Sequence, residues 1–333
     1  MYYPSKNVTN YALCSRKKWL PSYAHAGNWS SFIGLPYHLL GSVSSLYFTG
    51  TKVFSPHNLQ PKEVAEGVKR PLIIFSHGLA SWGNHYSCLL SYLSSFGYTI
   101  ITFDHTDGSA TVAELNSGIK EYEYVNEKNI EYMKKRRGEQ LDLRVNDIKN
   151  VWNFIKNYEK GGGTIIETVL KNTNRESFII AGHSFGGGTA YACLESEKIN
   201  PPPKAGILFD PWLNSFKWSS SFKNWKNEMP KVILTCDKGF ISKTPKWRKQ
   251  LEPISSMINA KSVRFPGQDH IDVCDAPLFL PFSTKSDQWF IENMWEVKEF
   301  LKGIGEEIEG DLEKELEVKR GNYVVEKFYE SPF

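Results

Sequence analysis

The chain has 333 residues, 41% hydrophobic and 23% charged, with a formal net charge of +3. That length suits one large α/β domain or two small ones with a sizeable core, and the charge is too mild to point to nucleic acid. The five cysteines, Cys14, Cys88, Cys193, Cys236 and Cys274, are odd in number, widely spaced and lack a CxxC pair, which argues for reduced thiols and against a disulfide frame or a zinc site. Aromatic residues make up 14% of the chain, with 10 Trp, a supply that fills a core and also suits an apolar-ligand site. Met1-Tyr2-Tyr3-Pro4-Ser5-Lys6 lacks a signal-peptide core, and no stretch is long and apolar enough to cross a bilayer as a helix. A cytoplasmic location is the expectation.

Residues 1–70 read as an irregular N-terminal segment rich in Tyr, Ser and Pro. Within it an apolar patch runs from Phe32 to Leu40 and on to Phe48. It reads as a segment packed on the core, or as an amphipathic helix bordering a lipid-facing mouth. Pro71-Leu72-Ile73-Ile74-Phe75 has the continuous apolar character of a strand buried on both faces. A loop, Ser76-His77-Gly78-Leu79-Ala80, leads to a helix with Tyr86, Leu89, Leu90 and Leu93 on one face. Gly97 ends it, and Tyr98–Phe103 is the next strand. This βαβ unit implies a parallel sheet with right-handed crossovers.

Asp104-His105-Thr106-Asp107-Gly108-Ser109-Ala110 fits no zinc or calcium spacing and is expected as a polar loop over the ends of the strands. Residues 111–138, with the basic run Lys134-Lys135-Arg136-Arg137, read as an exposed excursion. Leu141, Val145, Ile148, Trp152 and Ile155 then recur at helical spacing. Further strands are expected at 177–181, 205–209, 232–236 and 262–265. A helical region is expected near 244–258, and a final core helix over 288–302. Residues 305–333 form a charged tail. No linker divides the chain and no repeat is seen, so a single domain over 1–333 is expected.

The strand at 177–181 runs directly into Gly182-His183-Ser184-Phe185-Gly186, and a small-residue helical run follows. Strand, G-x-S-x-G and helix together form the nucleophile-elbow pattern of α/β-hydrolases. The glycines let the chain make a tight, strained turn that holds the serine oxygen out at a helix N-terminus. In that fold the acid and then the histidine follow the serine along the chain. Of eight histidines, only His270 comes after Ser184. The acid is harder to place: among the acidic residues between Ser184 and His270, only Asp210 and Asp237 end strands directly, and residue chemistry does not choose between them. Asp269 adjoins His270, and neighbours on an extended chain point apart. The oxyanion hole calls for two backbone N–H groups, from Phe185 after the serine and from Leu79 in the loop after an earlier strand. His77 reads as a structural loop residue.

Three strings together, Pro71–Leu79, Gly182–Gly187 and Leu208-Phe209-Asp210-Pro211-Trp212, resemble the platelet-activating-factor acetylhydrolase family, of the lipoprotein-associated phospholipase A2 type. Asp104–Ala110, the His270 loop and Tyr2-Tyr3-Pro4-Ser5 add to the likeness, which covers most of residues 1–300. The resemblance implies an α/β-hydrolase fold and a calcium-independent serine esterase without cofactor or metal. It implies a phospholipid substrate with a short or oxidised sn-2 acyl chain, such as platelet-activating factor, and admits peripheral contact with a membrane or lipid-particle surface. It selects Asp210 as the acid beside Ser184 and His270, and it maps the oxyanion donors onto Leu79 and Phe185. In the family the Tyr2–Ser5 strand follows earlier sheet strands, so the chain is expected to begin late. The other functions open at this point are a general carboxylesterase or polyester hydrolase, and an inactive lipid-binding protein of the same fold.

Overall fold

A computed structural model describes residues 1–6, 16–38, 41–42, 51–53, 59–126, 129–159, 163–213, 229–238, 259–279, 286–306 and 326–329. Helix α1 spans Tyr23–Phe32. Strand β1 (Leu72–Ser76) leads through a 3₁₀ turn at Gly83–Tyr86 to α2 (Ser87–Ser95) and β2 (Thr99–Thr102). A hairpin of β3 (Val112–Leu115) and β4 (Gly118–Glu121) follows, then α3 (Ile130–Lys156) and α4 (Ile165–Lys171). Next come β5 (Ile179–His183), α5 (Phe185–Glu195), β6 (Ala205–Phe209), β7 (Lys231–Lys238) and β8 (Ala260–Asp269). A 3₁₀ turn at His270–Val273, a short α6 (Ala276–Phe279), α7 (Ser286–Gly303) and β9 (Glu326–Tyr329) complete the order.

The main sheet has seven strands in the order β2-β1-β5-β6-β7-β8-β9. Every pairing from β2 to β8 is parallel, and β9 adds an antiparallel edge. Beyond β2, Tyr2 forms an antiparallel bridge to Ile100, each donating to the other at 2.8 Å. Because alternate side chains on a strand point to opposite faces, β1 divides its apolar residues between two cores. Ile73 and Phe75 join Leu89, Leu90 and Leu93 of α2 and Met294, Val297 and Phe300 of α7 on one face. Leu72 and Ile74 join Leu141, Val145, Ile148 and Trp152 of α3 and Ala190, Tyr191 and Leu194 of α5 on the other. Burial on both faces explains why the strands read as continuous apolar runs.

Two sequence expectations change and a third is sharpened. Residues 111–138 are not simply a solvated excursion. Thr111, Val112 and Ala113 are buried, and the basic run lies within the first turns of α3. Arg136 pairs with Glu123, while the buried Arg137 donates to Tyr122 Oη and Gln140 Oε1. These satisfied partners let positive charge enter the protein. The stretch 104–110 is likewise buried at His105, Asp107, Ser109 and Ala110. In the N-terminal segment a helix forms upstream of the apolar patch: α1 is capped by Ser22 Oγ, which accepts from His25 N, and it ends where the patch begins. Ile33 and Leu35 just beyond it are exposed. Most of the remaining patch, the region near 244–258 and most of the charged tail lie outside the described residues. No helix among the described residues is long and apolar enough to cross a membrane.

Candidate active site

The turn between β5 and α5 puts Ser184 at φ 56°, ψ −120°, a conformation that L-residues adopt only when the surroundings hold it. Its N–H donates to Phe209 O at 3.0 Å, and its C=O accepts from Gly188 N at 3.0 Å and Trp212 N at 2.8 Å. The flanking glycines are there because nothing larger fits. A Cβ on Gly182 would lie 2.2 Å from Gly186 O, and one on Gly186 would lie 2.0 Å from Ser76 O. Real Cβ atoms do not approach that closely, so the G-x-S-x-G spacing records a backbone crossing.

At the end of β6, one strand over, Asp210 is almost fully buried and has φ 37°. Its Oδ2 accepts from His270 Nδ1 at 2.5 Å, and its Oδ1 accepts from Cys236 N at 3.1 Å. His270 opens the 3₁₀ turn after β8, and its ring lies 4.5 Å from that of His183, the residue before Ser184. The fold thus brings Ser184, Asp210 and His270 to the same end of the sheet, after the parallel strands β5, β6 and β8. A proton on Nδ1 directed at Asp210 fixes the tautomer in which Nε2 is the acceptor nitrogen of the ring. Asp269 is occupied otherwise. Its side chain caps the turn that starts at His270, while Asp272 Oδ2 accepts from Asp269 N at 2.9 Å. Asp237 lies near the end of β7, and its side chain is outside the described set.

The loop after β1 closes over the serine. A Cβ on Gly78 would stand 3.3 Å from Ser184 Cβ and 3.6 Å from His183 Nδ1. Tyr86 Oη accepts from Gly78 N at 3.0 Å and donates to His183 Nδ1 at 2.9 Å. Burial raises the Tyr86 phenol and lowers the His183 imidazole well below its usual range, so the phenol holds the proton and His183 accepts. His77 is a structural residue: its Nε2 accepts from His105 N at 3.1 Å, which leaves Nδ1–H to donate to Gly78 O at 2.7 Å. Burial and the nearby Arg144 keep it neutral. Leu79 follows Gly78 in this loop, and Phe185 opens α5 directly after Ser184, in a first turn whose backbone N–H groups have no partner within the helix.

Three contributors escaped the sequence reading. Arg144 is buried in α3 on the same stripe as Leu141, Val145 and Ile148. A charged residue on an apolar stripe was the available signal. Asp107 pairs with it at 3.2 Å, both side chains being wholly buried. Asp275 fastens the loop that carries His270. Its carboxylate accepts from Ser87 N at 2.8 Å, Ser87 Oγ at 2.5 Å and Cys88 N at 3.0 Å, at the start of α2. Among the described residues, no group of three or more His, Cys, Asp and Glu is placed to hold a metal ion.

The family model described as platelet-activating factor acetylhydrolase, isoform II, matches residues 1–240, a span that contains Ser184 and Asp210. The platelet-activating factor acetylhydrolases of Canis lupus familiaris and Bos taurus are each 28% identical over 229 residues, covering 64% of this chain and 49% of theirs. The chain spans about half the length of the curated relatives it matches. A solved ferulic acid esterase from Streptomyces cinnamoneus, 18% identical, superimposes with a TM-score of 0.57 over 90% of this chain and 79% of that one, in keeping with an α/β-hydrolase fold. With a strained serine turn on a parallel sheet, an aspartate–histidine pair beside it and a family match over residues 1–240, the chain belongs to the platelet-activating factor acetylhydrolase, isoform II, family.

Proposed function

We propose that this chain is a serine esterase that cleaves short or oxidised sn-2 acyl groups, acetyl among them, from phospholipids, without calcium. The observation that carries the reading is the 2.5 Å contact between His270 Nδ1 and Asp210 Oδ2 beside the strained Ser184 turn. In this reading His270 Nε2 takes the Ser184 hydroxyl proton as Oγ attacks the ester carbonyl. Asp210 orients the ring and stabilises the imidazolium. The carbonyl oxygen gains negative charge and is held by the N–H groups of Leu79 and Phe185, at the positive end of the α5 dipole. The protonated His270 then donates to the departing alcohol, leaving an acyl-serine. Water, activated by the same imidazole, hydrolyses it.

Family membership supports the phospholipid substrate. The exposed Ile33 and Leu35 at the end of α1 suit contact with a lipid surface. Leu35→Ser is expected to slow hydrolysis of substrate in vesicles while sparing a soluble acetyl ester, and equal effects on both would remove that contact. The central test is release of acetyl against long-chain sn-2 groups in the presence of chelator. Faster long-chain release would favour a general carboxylesterase or lipase. Fluorophosphonate labelling that survives Ser184→Ala would remove Ser184 as nucleophile. No labelling and no turnover by the folded wild-type protein would leave the lipid-binding alternative.

A further inference from the structure

The backbone of the loop after β1 can be accounted for group by group. Gly78 N donates to Tyr86 Oη, and Ala80 N donates to Ser109 O at 2.8 Å. His77 O accepts from Arg144 Nη1 at 2.6 Å. Gly78 O accepts from Arg144 Nη2 at 3.3 Å and from His77 Nδ1 at 2.7 Å. Gly78 O and Leu79 N–H belong to one peptide unit. Two donors on its oxygen fix the plane of that peptide and polarise it, which strengthens the N–H as a donor on the other side. The same guanidinium lies 4.4 Å over the ring of Phe185, the residue that supplies the second oxyanion donor.

Arg144 is itself held rigidly. Its Nε donates to Asp107 Oδ2 at 3.2 Å and to Ser109 Oγ at 2.9 Å, and its Nη2 donates to Ser109 Oγ at 2.6 Å. Ser109 Oγ in turn donates to Asp107 Oδ1 at 2.5 Å. The buried carboxylate neutralises the guanidinium, so what Arg144 delivers to the loop is fixed geometry and a peptide dipole. The planar fork matches two carbonyls at once, which a lysine ammonium does not.

We infer that Arg144, locked by Asp107 and Ser109, is a positioning residue for the oxyanion hole, setting the Gly78–Leu79 peptide against the developing charge. The inference rests on the esterase reading above. It is tested with p-nitrophenyl acetate and a long-chain alkyl trifluoromethyl ketone, whose serine adduct carries an oxyanion. The proteins are wild type, Arg144→Gln, Arg144→Lys and Ser109→Ala, with folded sites counted by fluorophosphonate titration. Both Arg144 variants are expected to lose about 100-fold in kcat, the scale of one lost oxyanion donor, with KM nearly constant. Ketone affinity should fall in parallel with kcat/KM, and lysine should not rescue. Ser109→Ala should show a smaller loss along the same line, and it decides the matter if the Arg144 variants do not fold. A folded Arg144→Gln or Ser109→Ala protein with undiminished kcat overturns the inference, as does a loss of kcat without loss of ketone affinity. If the wild-type protein neither binds the ketone nor loses labelling on Ser184→Ala, the esterase reading itself has failed.

Discussion

At Gly186 a single methyl group has nowhere to go. It would meet Ser76 O at 2.0 Å and His77 O at 2.6 Å, both backbone atoms of the strand and loop that face Ser184. Backbone cannot swing aside as a side-chain tip can. Gly186→Ala is therefore expected to lose more than the 1–3 kcal/mol usual for overpacking, and to show as a lowered urea midpoint or as insoluble protein. A variant with wild-type stability would mean that the turn is looser than this. Asp210 differs in kind, because it is held by charge and hydrogen bonds rather than by lack of room. Asp210→Asn keeps the shape but offers an amide where His270 Nδ1–H needs an acceptor. The expected result is a fall in kcat of about 10³–10⁴-fold with little change in urea midpoint, whereas Asp237→Asn should stay within a few-fold. Collapse of turnover in Asp237→Asn alone would reverse the assignment of the acid.

Among the elements, α3 shows how one helix serves both packing and the site. Its stripe of Leu141, Val145, Ile148, Trp152 and Ile155 is wholly buried against the sheet and α5. Ile148→Ala is expected to cost about 2–5 kcal/mol, while Phe154→Ala, on the face that leaves Phe154 59% exposed, should change stability by less than about 0.5 kcal/mol. Equal costs by chemical denaturation would contradict that orientation. This stripe was legible from 141 onward because its residues are apolar. Its N-terminal turns were not, since Arg137, Gln140 and Arg144 face inward as buried polar groups, and a sequence does not display the partners that make such burial tolerable. The burial of the 104–110 stretch was not legible for the same reason. Thr106 N and Oγ1 both donate to Asp147 and Asp107 meets Arg144, so polar composition there reflects internal pairing rather than water. Ser184 and His270 were legible because an elbow has a fixed spacing and chain order left one histidine. The acid partner of His270 was not legible from residue chemistry alone, because β6 and β7 both carry an aspartate at their ends; the resemblance chose Asp210, and its Oδ2 meets the imidazole in the fold.

Across the molecule, Asp275 joins the turn that carries His270 to the N-terminus of α2. Its backbone N–H also donates to His85 O at 2.8 Å. Burial raises its carboxyl to about 7 from the ordinary 3.8, against the opposing effect of the Ser87 and Cys88 donors. The folded state therefore holds this proton more tightly than the unfolded chain does. Between pH 4 and pH 7 the folded protein binds more protons at this site, so the contribution of Asp275 to stability rises as pH falls through that window and is lost as pH rises through about 7. The sign is opposite to that of a salt-bridged carboxylate, which loses its stabilisation in acid. Asp275→Asn removes the titration while keeping the size of the side chain. The difference in unfolding free energy, wild type minus Asp275→Asn, is expected to shift in favour of wild type as pH is lowered from 7.5 to 4.5, measured by urea unfolding at each pH. Parallel profiles would show that the carboxyl does not titrate in this window, and a shift in the other direction would show that its three donors outweigh its burial.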